Sequence, residues 1–173
     1  HHYISDPQNM ADALEILTAP ARLSFYKEEE TELSTTKSLH EHQQKYFWLK
    51  NSYAGTQILP ISFFAEHKKT LKSQLKKETM KKLQETKAKK KQLQNKFKLP
   101  ASIIRIAEAI SYGVGWQDER KKHIFISLHY IDLLGKEIAR RRDYKISDFD
   151  NLWYFEVAQI LNGKNLRQTI FQR

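Results

Sequence analysis

The sequence predicts an all-α fold built around a long antiparallel helical hairpin, with arms at about 63–98 and 102–142. Glycine and proline are scarce, at 5 and 4 in 173 residues, and they fall between stretches of helical periodicity. Apolar residues recur at steps of three and four, which is typical of amphipathic helices. Residues 63–98 contain neither glycine nor proline. Shorter N-terminal helices are predicted before the hairpin, and a small extended segment with a helical turn after it.

The N-terminal region, residues 5–62, is predicted to hold two helices and an aromatic loop. Ser5 and Asp6 precede Pro7, an order typical of a capped helix start, and Thr18-Ala19-Pro20 ends that helix. Ser24 is predicted to cap a second helix that continues to about Tyr46. The densest aromatic cluster, YFWLKNSY at 46–53, follows it, and residues 51–61 form a loop.

The first arm, 63–98, would be about 54 Å long at about 1.5 Å per residue. The second arm keeps its apolar phase across Gly113 and Gly115, so one continuous helix is predicted despite a cost of about 1 kcal/mol for each interior glycine. Its predicted packed positions are Ile103, Ala107, Ile110, Val114, Gln117, Lys121, Ile124, Leu128, Ile131, Gly135 and Ile138.

A turn centred near Leu99-Pro100 places residue i opposite residue 199−i. This offset predicts ion pairs across the hairpin, with Lys121 beside Glu78 and Asp118 beside Lys81 and Lys82. After the second arm, LWYF at 152–155 is predicted to be extended and 156–161 to form a helical turn.

We expect residues 1–173 to form one helical domain, divided into 5–62, 63–142 and 143–173, and to be a fragment of a larger enzyme. The chain contains no cysteine, which excludes disulfides and favours a cytoplasmic location. No apolar run is long enough for a membrane span.

The net charge of +10 is concentrated in residues 68–98, which hold 13 lysines and 2 acidic residues. Phosphate binding needs clustered basic charge, so a nucleic acid or an acidic partner is an alternative. Aromatic stacking residues are missing from 68–96, however, and a solvated helix face is the favoured interpretation.

The sequence contains no recognised catalytic motif and no metal-binding pattern. The glycines do not match a phosphate-binding loop, and there is no HExxH or GxSxG pattern. His40 and His42 lie two residues apart on a predicted helix, so their side chains diverge.

Three stretches resemble the helical middle region of phosphoenolpyruvate synthase-like phosphotransferases. They are ILTAPARLSF (16–25), LHEHQQKYFWLKNSY (39–53) and the segment 116–164, which begins WQDERKKH. The matching family patterns are TxPxxxSF, LxxHxxxYxW and a helix with an RDxRK-like motif. The family's Leu-Thr-x-x-Glu after a strand is replaced here by Phe155-Glu156-Val157-Ala158-Gln159.

The resemblance implies a parent enzyme in which an ATP-grasp domain, with ATP and Mg, phosphorylates a histidine on a mobile domain. Those two domains of the same chain would be the partners of this region. The fragment itself would carry no cofactor and would space the ATP and acceptor sites as a non-catalytic connecting domain. In rifampicin phosphotransferases, by contrast, the helical domain itself holds the small-molecule acceptor.

Two sets of candidate site residues follow from these hypotheses. The first set is aromatic: Tyr46, Trp48, Tyr53, Tyr112 and Trp116. These residues would line the pocket if the domain binds a small molecule. The favoured interpretation is that they pack in the core. The second set is a polar cluster on the second arm: Gln117, Asp118, Glu119, Arg120 and Lys121. It would either dock the mobile domain or form the ion pairs across the hairpin, and the ion pairs are the favoured interpretation.

Overall fold

The computed structural model describes residues 7–172, the side chains of Pro7 and Asp150 excepted, and confirms the all-α class. The described helices are α1 (Pro7–Thr18), α2 (Phe25–Leu33), α3 (Leu39–Tyr46), α4 (Ile61–Thr70), α5 (Leu75–Phe97), α6 (Ala101–Arg142), a 3-10 helix (Ile146–Asn151), α7 (Tyr154–Leu161) and α8 (Arg167–Phe171). None of these helices combines the length and the apolar character that crossing a membrane requires.

The chain groups into two compact units, and α6 contributes residues to both. Unit 1 comprises the described residues up to Lys50 together with Ile58–Ile124, and unit 2 comprises Asn51–Gln57 with the described residues from Phe125 onward. This grouping differs from the predicted boundaries at residues 62 and 142.

The N-terminal helices are shorter than predicted. α1 ends at Thr18 as expected, whereas its predicted capping residues, Ser5 and Asp6, lie outside the described residues. The single helix predicted from Ser24 to Tyr46 is wrong, because the chain breaks between α2 and α3. Hydroxyl groups explain the break: Ser34 Oγ donates to the Thr31 carbonyl, and Ser38 Oγ accepts from Glu41 N–H to cap α3.

The continuous first arm, 63–98, is also wrong, because residues 71–74 separate α4 from α5. Leu71 takes an extended conformation with ψ 139°. α4 packs against α2 and α3, while α5 packs against α1 and α2. The break lets the two helices follow different neighbours, so tertiary packing overrides the local helix preference.

The second arm is confirmed as one helix, since α6 runs unbroken through Gly113 and Gly115. The chain also reverses as predicted, because Lys90 Nζ on α5 donates to Ser111 Oγ on α6 at 3.0 Å. Both side chains donate to the Ala19 carbonyl just after α1, so the end of α1 is held by both arms.

The predicted ion pairs between the arms are absent from the described residues. Glu119 instead pairs within α6, with Lys122 at 3.3 Å and His123 at 3.2 Å. Lys81 lies 3.8 Å from Glu85 within α5. The cross-hairpin pairs do not form because α5 packs mainly against α1 and α2 and not along α6.

Ala107 is buried as predicted, but from Ser111 onward the buried positions of α6 lie one residue later than the predicted stripe. Gln117 and Lys121, predicted to be packed, are exposed. The buried positions are Ala107, Ser111, Gly115, Phe125, His129 and Ala139. Small side chains dominate this face in unit 1, because neighbouring groups approach the helix closely there, while Ile103, Ile110 and Val114 remain largely exposed.

In unit 2, the segment predicted to be extended at 152–155 is extended only at Leu152 and Trp153, since α7 begins at Tyr154. The Glu156 carboxylate accepts from the Trp153 backbone N–H at 2.8 Å, which caps the first turn and favours a helix. The predicted helical turn at 156–161 is part of α7. Ile160, Leu166 and Ile170 form the buried core of this unit.

The two glycines of α6 differ in their surroundings, which predicts opposite responses to alanine. Nothing lies within 4 Å of a Cβ added at Gly113, so G113A is expected to raise the free energy of unfolding by about 1 kcal/mol. A Cβ at Gly115 would lie 2.4 Å from Arg22 Nε, so G115A should lose most of this gain. Chemical denaturation measures both changes, and R22A/G115A should recover the gain; equal stabilisation by both single variants would contradict the close approach.

Candidate ligand-binding site

A buried carboxylate, Glu29, lies at the centre of unit 1. Ser24 Oγ accepts from Lys27 N–H at the start of α2, which sets the helix in place. Phe25, Glu29 and Leu33 follow one another at a spacing of four, so they share one face of α2. That face is buried, and the Glu29 side chain is only 1% exposed.

One oxygen of this carboxylate is satisfied by a histidine from α3. His42 Nε2 donates to Glu29 Oε1 at 2.9 Å, and the His42 side chain is 2% exposed. The imidazole packs against the rings of Tyr46 and Phe64, at centroid distances of 4.7 Å and 5.2 Å. Aromatic packing therefore fixes His42, and His42 orients the carboxylate.

The other oxygen, Glu29 Oε2, accepts no hydrogen bond from the described residues. His67 Nδ1 on α4 lies 3.9 Å from this oxygen, which is too long for a hydrogen bond. Nδ1 of His67 is likewise buried without a described partner. Two polar atoms that need partners thus face each other across a short gap.

A cavity of about 800 Å³ lies beside this pair. Its lining residues are Tyr26, Glu29, Glu30, Leu49, Lys50, Pro60, Ser62, Phe63, Glu66, His67 and Thr70. The walls come from α2, α4 and the loop that precedes α4. This volume falls in the range of small-molecule sites, which are apolar clefts with a few placed polar groups.

The other charged groups of the lining already have partners at the surface. Glu30 pairs with Lys27 at 2.5 Å, and Glu66 pairs with Lys69 at 2.7 Å. Lys50 lies over the ring of Phe63, with Nζ 5.7 Å from the centroid. Glu29 is therefore the deeply buried charge of the cavity.

The aromatic residues predicted to line a pocket do not line this cavity. Tyr46 and Trp48 are buried in the core, where Trp48 Nε1 donates to the Lys45 carbonyl at 2.9 Å. Burial raises the pKa of Tyr46. The negative charge of Glu32 and the hydrogen bond to Glu32 raise it further. Both side chains pack the interior, as the alternative interpretation held.

The remaining predicted aromatics are largely exposed. Tyr53 belongs to unit 2, where its ring lies 5.9 Å from that of Phe125. Tyr112 and Trp116 lie one turn apart on α6, and each packs beneath a guanidinium group. Arg22 lies 5.8 Å from the Tyr112 ring, and Arg120 lies 5.7 Å from the Trp116 ring.

The predicted polar cluster, 117–121, lies on α6 within unit 1. Gln117, Arg120 and Lys121 are exposed, while Asp118 and Glu119 are half-buried. Glu119 pairs with Lys122 on the next turn of its own helix. Burial alone would raise the pKa of Glu119, but the hydrogen bond and the charge of Lys122 outweigh it, so the pKa lies below its ordinary value. Docking of a mobile domain by this cluster stays a prediction.

Glu29 and His67 were not among the site residues predicted from the sequence. The signal for Glu29 was the spacing of Phe25, Glu29 and Leu33, which marks one glutamate of KEEETEL as facing inward. His40 and His42 diverge as predicted, since His42 is buried and His40 is exposed. In the described part of the chain, no three histidine or acidic side chains are arranged to hold a metal ion.

Comparison of the chain with protein-family models, with curated proteins and with solved structures finds no match.

Proposed function

We propose that unit 1 is a helical domain that binds a small molecule in the cavity between α2 and α4. The observation that carries this proposal is the cavity itself, which has a volume of about 800 Å³ and is walled by α2, α4 and the loop that precedes α4. Its lining combines aromatic rings, such as those of Tyr26 and Phe63, with polar groups. This combination of volume and lining is typical of small-molecule sites.

The resemblance to phosphoenolpyruvate synthase-like phosphotransferases gives this ligand a role. We propose that the parent enzyme is such a phosphotransferase and that the ligand is its phosphoryl acceptor, as in rifampicin phosphotransferases. ATP and Mg would bind to the ATP-grasp domain, and a phosphohistidine domain would carry the phosphoryl group. Those partners and a cytoplasmic location belong to the same proposal.

A non-catalytic connecting domain is the second candidate function. It is favoured by α6, which continues for 42 residues without a break at either interior glycine. In this proposal, packed helices space the ATP and acceptor sites, while the flanking segments allow the mobile domain to move. This role does not use the cavity, so the two candidates give different results when the cavity is filled.

The test of ligand binding is an NMR screen of the 173-residue chain with a fragment library of amines, alcohols and amides. We expect fragments to perturb the amide signals of cavity residues such as Phe63 and His67. S62W, which fills the cavity, should weaken these interactions by at least about tenfold.

S73W provides the matched control, because Ser73 is exposed in the break between α4 and α5 and does not line the cavity. It should leave fragment binding unchanged. If no fragment perturbs the cavity residues, or if S62W and S73W behave alike, the binding proposal is wrong and the connecting-domain candidate is favoured.

A further inference from the structure

The exposed lysines of α5 have few acidic partners. On α3, by comparison, Lys45 lies 2.6 Å from Glu32. The one described ion pair of α5 joins Lys81 to Glu85, at the longer distance of 3.8 Å. The other exposed lysines of α5 take part in no described ion pair. Their charge is therefore available to an external anion.

Spacing divides these lysines between two lines along the helix, because residues three or four positions apart share one face. One line runs through Glu78, Lys82, Glu85 and Lys89, and it continues to Lys96. Charges of both signs alternate along the first part of this line. Such a pattern is typical of a helix face whose role is contact with water.

The second line, which we call the basic stripe, contains no acidic residue. It passes through positions 77, 80, 84, 87 and 91, and Lys76 lies beside its first position. Its charged side chains, all of them exposed, are Lys76, Lys77, Lys87 and Lys91. Lys87 and Lys91 are four positions apart, so their mutual repulsion disfavours the helix. Solubility does not require a single sign of charge, since mixed charges serve it as well. A bound anion would offset the repulsion.

The surroundings of the basic stripe distinguish among classes of anionic partner. A protein interface has an apolar centre, whereas Met80 is the one large apolar side chain that α5 exposes. A helix that lies on a membrane inserts its apolar face, but α5 packs with that face half-buried and contacts α1 and α2. Binding of single-stranded nucleic acid uses aromatic stacking platforms, and α5, all of which is described, exposes no aromatic ring. The backbone of a nucleic-acid duplex needs none of these features.

We propose that the basic stripe of α5 binds the phosphate backbone of double-stranded nucleic acid without regard to base sequence. From Lys76 to Lys91 the stripe extends about 22 Å along the helix axis, at the usual rise per residue. A duplex carries one negative charge per about 1.7 Å of its own axis, so several phosphates lie within reach of the stripe. Gln84 is exposed among these lysines, and its amide can donate to a phosphate oxygen. This interaction does not use the cavity.

The test measures binding of the 173-residue chain to a fluorescein-labelled DNA duplex of about 20 base pairs by fluorescence anisotropy. Four lysines that neutralise about four phosphates predict a slope of about −3.6 for the logarithm of the binding constant against that of the salt concentration. The affinity should therefore fall on the order of 100-fold between about 50 and 200 mM salt. A single strand of the same length should bind several-fold more weakly, because it has a lower charge density and finds no stacking platform.

Two triple variants that remove equal charge from the same helix show whether the basic stripe is the binding surface. K77Q/K87Q/K91Q neutralises the stripe, so it should weaken duplex binding at least about tenfold at low salt and reduce the steepness of the slope by about 3. K82Q/K89Q/K96Q is the matched control, because its lysines lie on the line of alternating charge. It should leave the slope unchanged. Lysine and glutamine have similar helix propensities, so both variants should keep their helix content by circular dichroism.

Three results would overturn this inference. They are no binding of the duplex at about 50 mM salt, equal losses in the two triple variants, and binding of poly-glutamate or of phosphatidylserine vesicles as tight as that of the duplex at matched charge. None of them bears on the cavity, which the fragment screen tests separately.

Discussion

Replacing His42 by leucine is expected to lower the free energy of unfolding by about 3–5 kcal/mol. The Glu29 side chain is 1% exposed, and His42 supplies its one short hydrogen bond among the described residues. Without the imidazole, a buried carboxylate must stay charged without a partner or take up a proton. Both cost free energy in the folded state, because the unfolded chain leaves the carboxylate in water. Urea denaturation at neutral pH measures the loss.

A double variant shows whether this loss comes from the stranded carboxylate. E29L/H42L removes both polar groups, and replacing a buried pair by apolar side chains is often close to neutral. The double variant should therefore be more stable than H42L alone. H40L, at an exposed position on the same helix, should stay within about 0.5 kcal/mol of the unmodified chain. Equal losses in H42L and E29L/H42L would show that shape, rather than charge, accounts for the effect.

Local signals were sufficient to predict much of the fold. α1 ends before Pro20, and the reversal between α5 and α6 occurs at Lys98–Pro100, where Lys98 takes a left-handed conformation with φ 46°. α6 was predicted as one helix because its apolar periodicity continues through Gly113 and Gly115. Each of these features depends on residues close to one another in the chain, so a single sequence contains the information.

The errors arise where distant residues decide. The breaks at 34–38 and 71–74 contain no glycine or proline, and they form where helices change their neighbours. The packed face of α6 was predicted from large apolar residues such as Ile110 and Val114. The structure buries Ser111 and Gly115 instead, because the end of α1 and the Arg22 side chain approach there.

The candidate site depends on three helices that meet in space, and this explains why it was not predicted. Glu29, His42 and His67 lie 13 to 38 positions apart in the sequence and match no motif. Glu29 also stands among other glutamates, which are normally exposed to solvent. Its role becomes evident only when α3 brings His42 to within 2.9 Å.

Replacing Phe64 by alanine is expected to destabilise unit 1 by about 3–5 kcal/mol. The Phe64 side chain is fully buried, and its ring packs against His42 at a centroid distance of 5.2 Å. Removing the ring leaves a void in the core and also frees the imidazole that orients Glu29. We therefore expect F64A to lower stability and, in the remaining folded protein, to weaken ligand binding.

Phe63 is the matched control, because it precedes Phe64 on α4 but lines the cavity instead of the core. It is half-buried, so F63A should cost clearly less stability than F64A. It should nevertheless weaken the binding of fragments to the cavity, because the ligand loses an aromatic wall. Thermal unfolding and NMR titration of the two variants separate these effects. Comparable losses of stability in F63A and F64A would mean that the cavity wall is itself part of the core, and that this face of α4 is not free to receive a ligand.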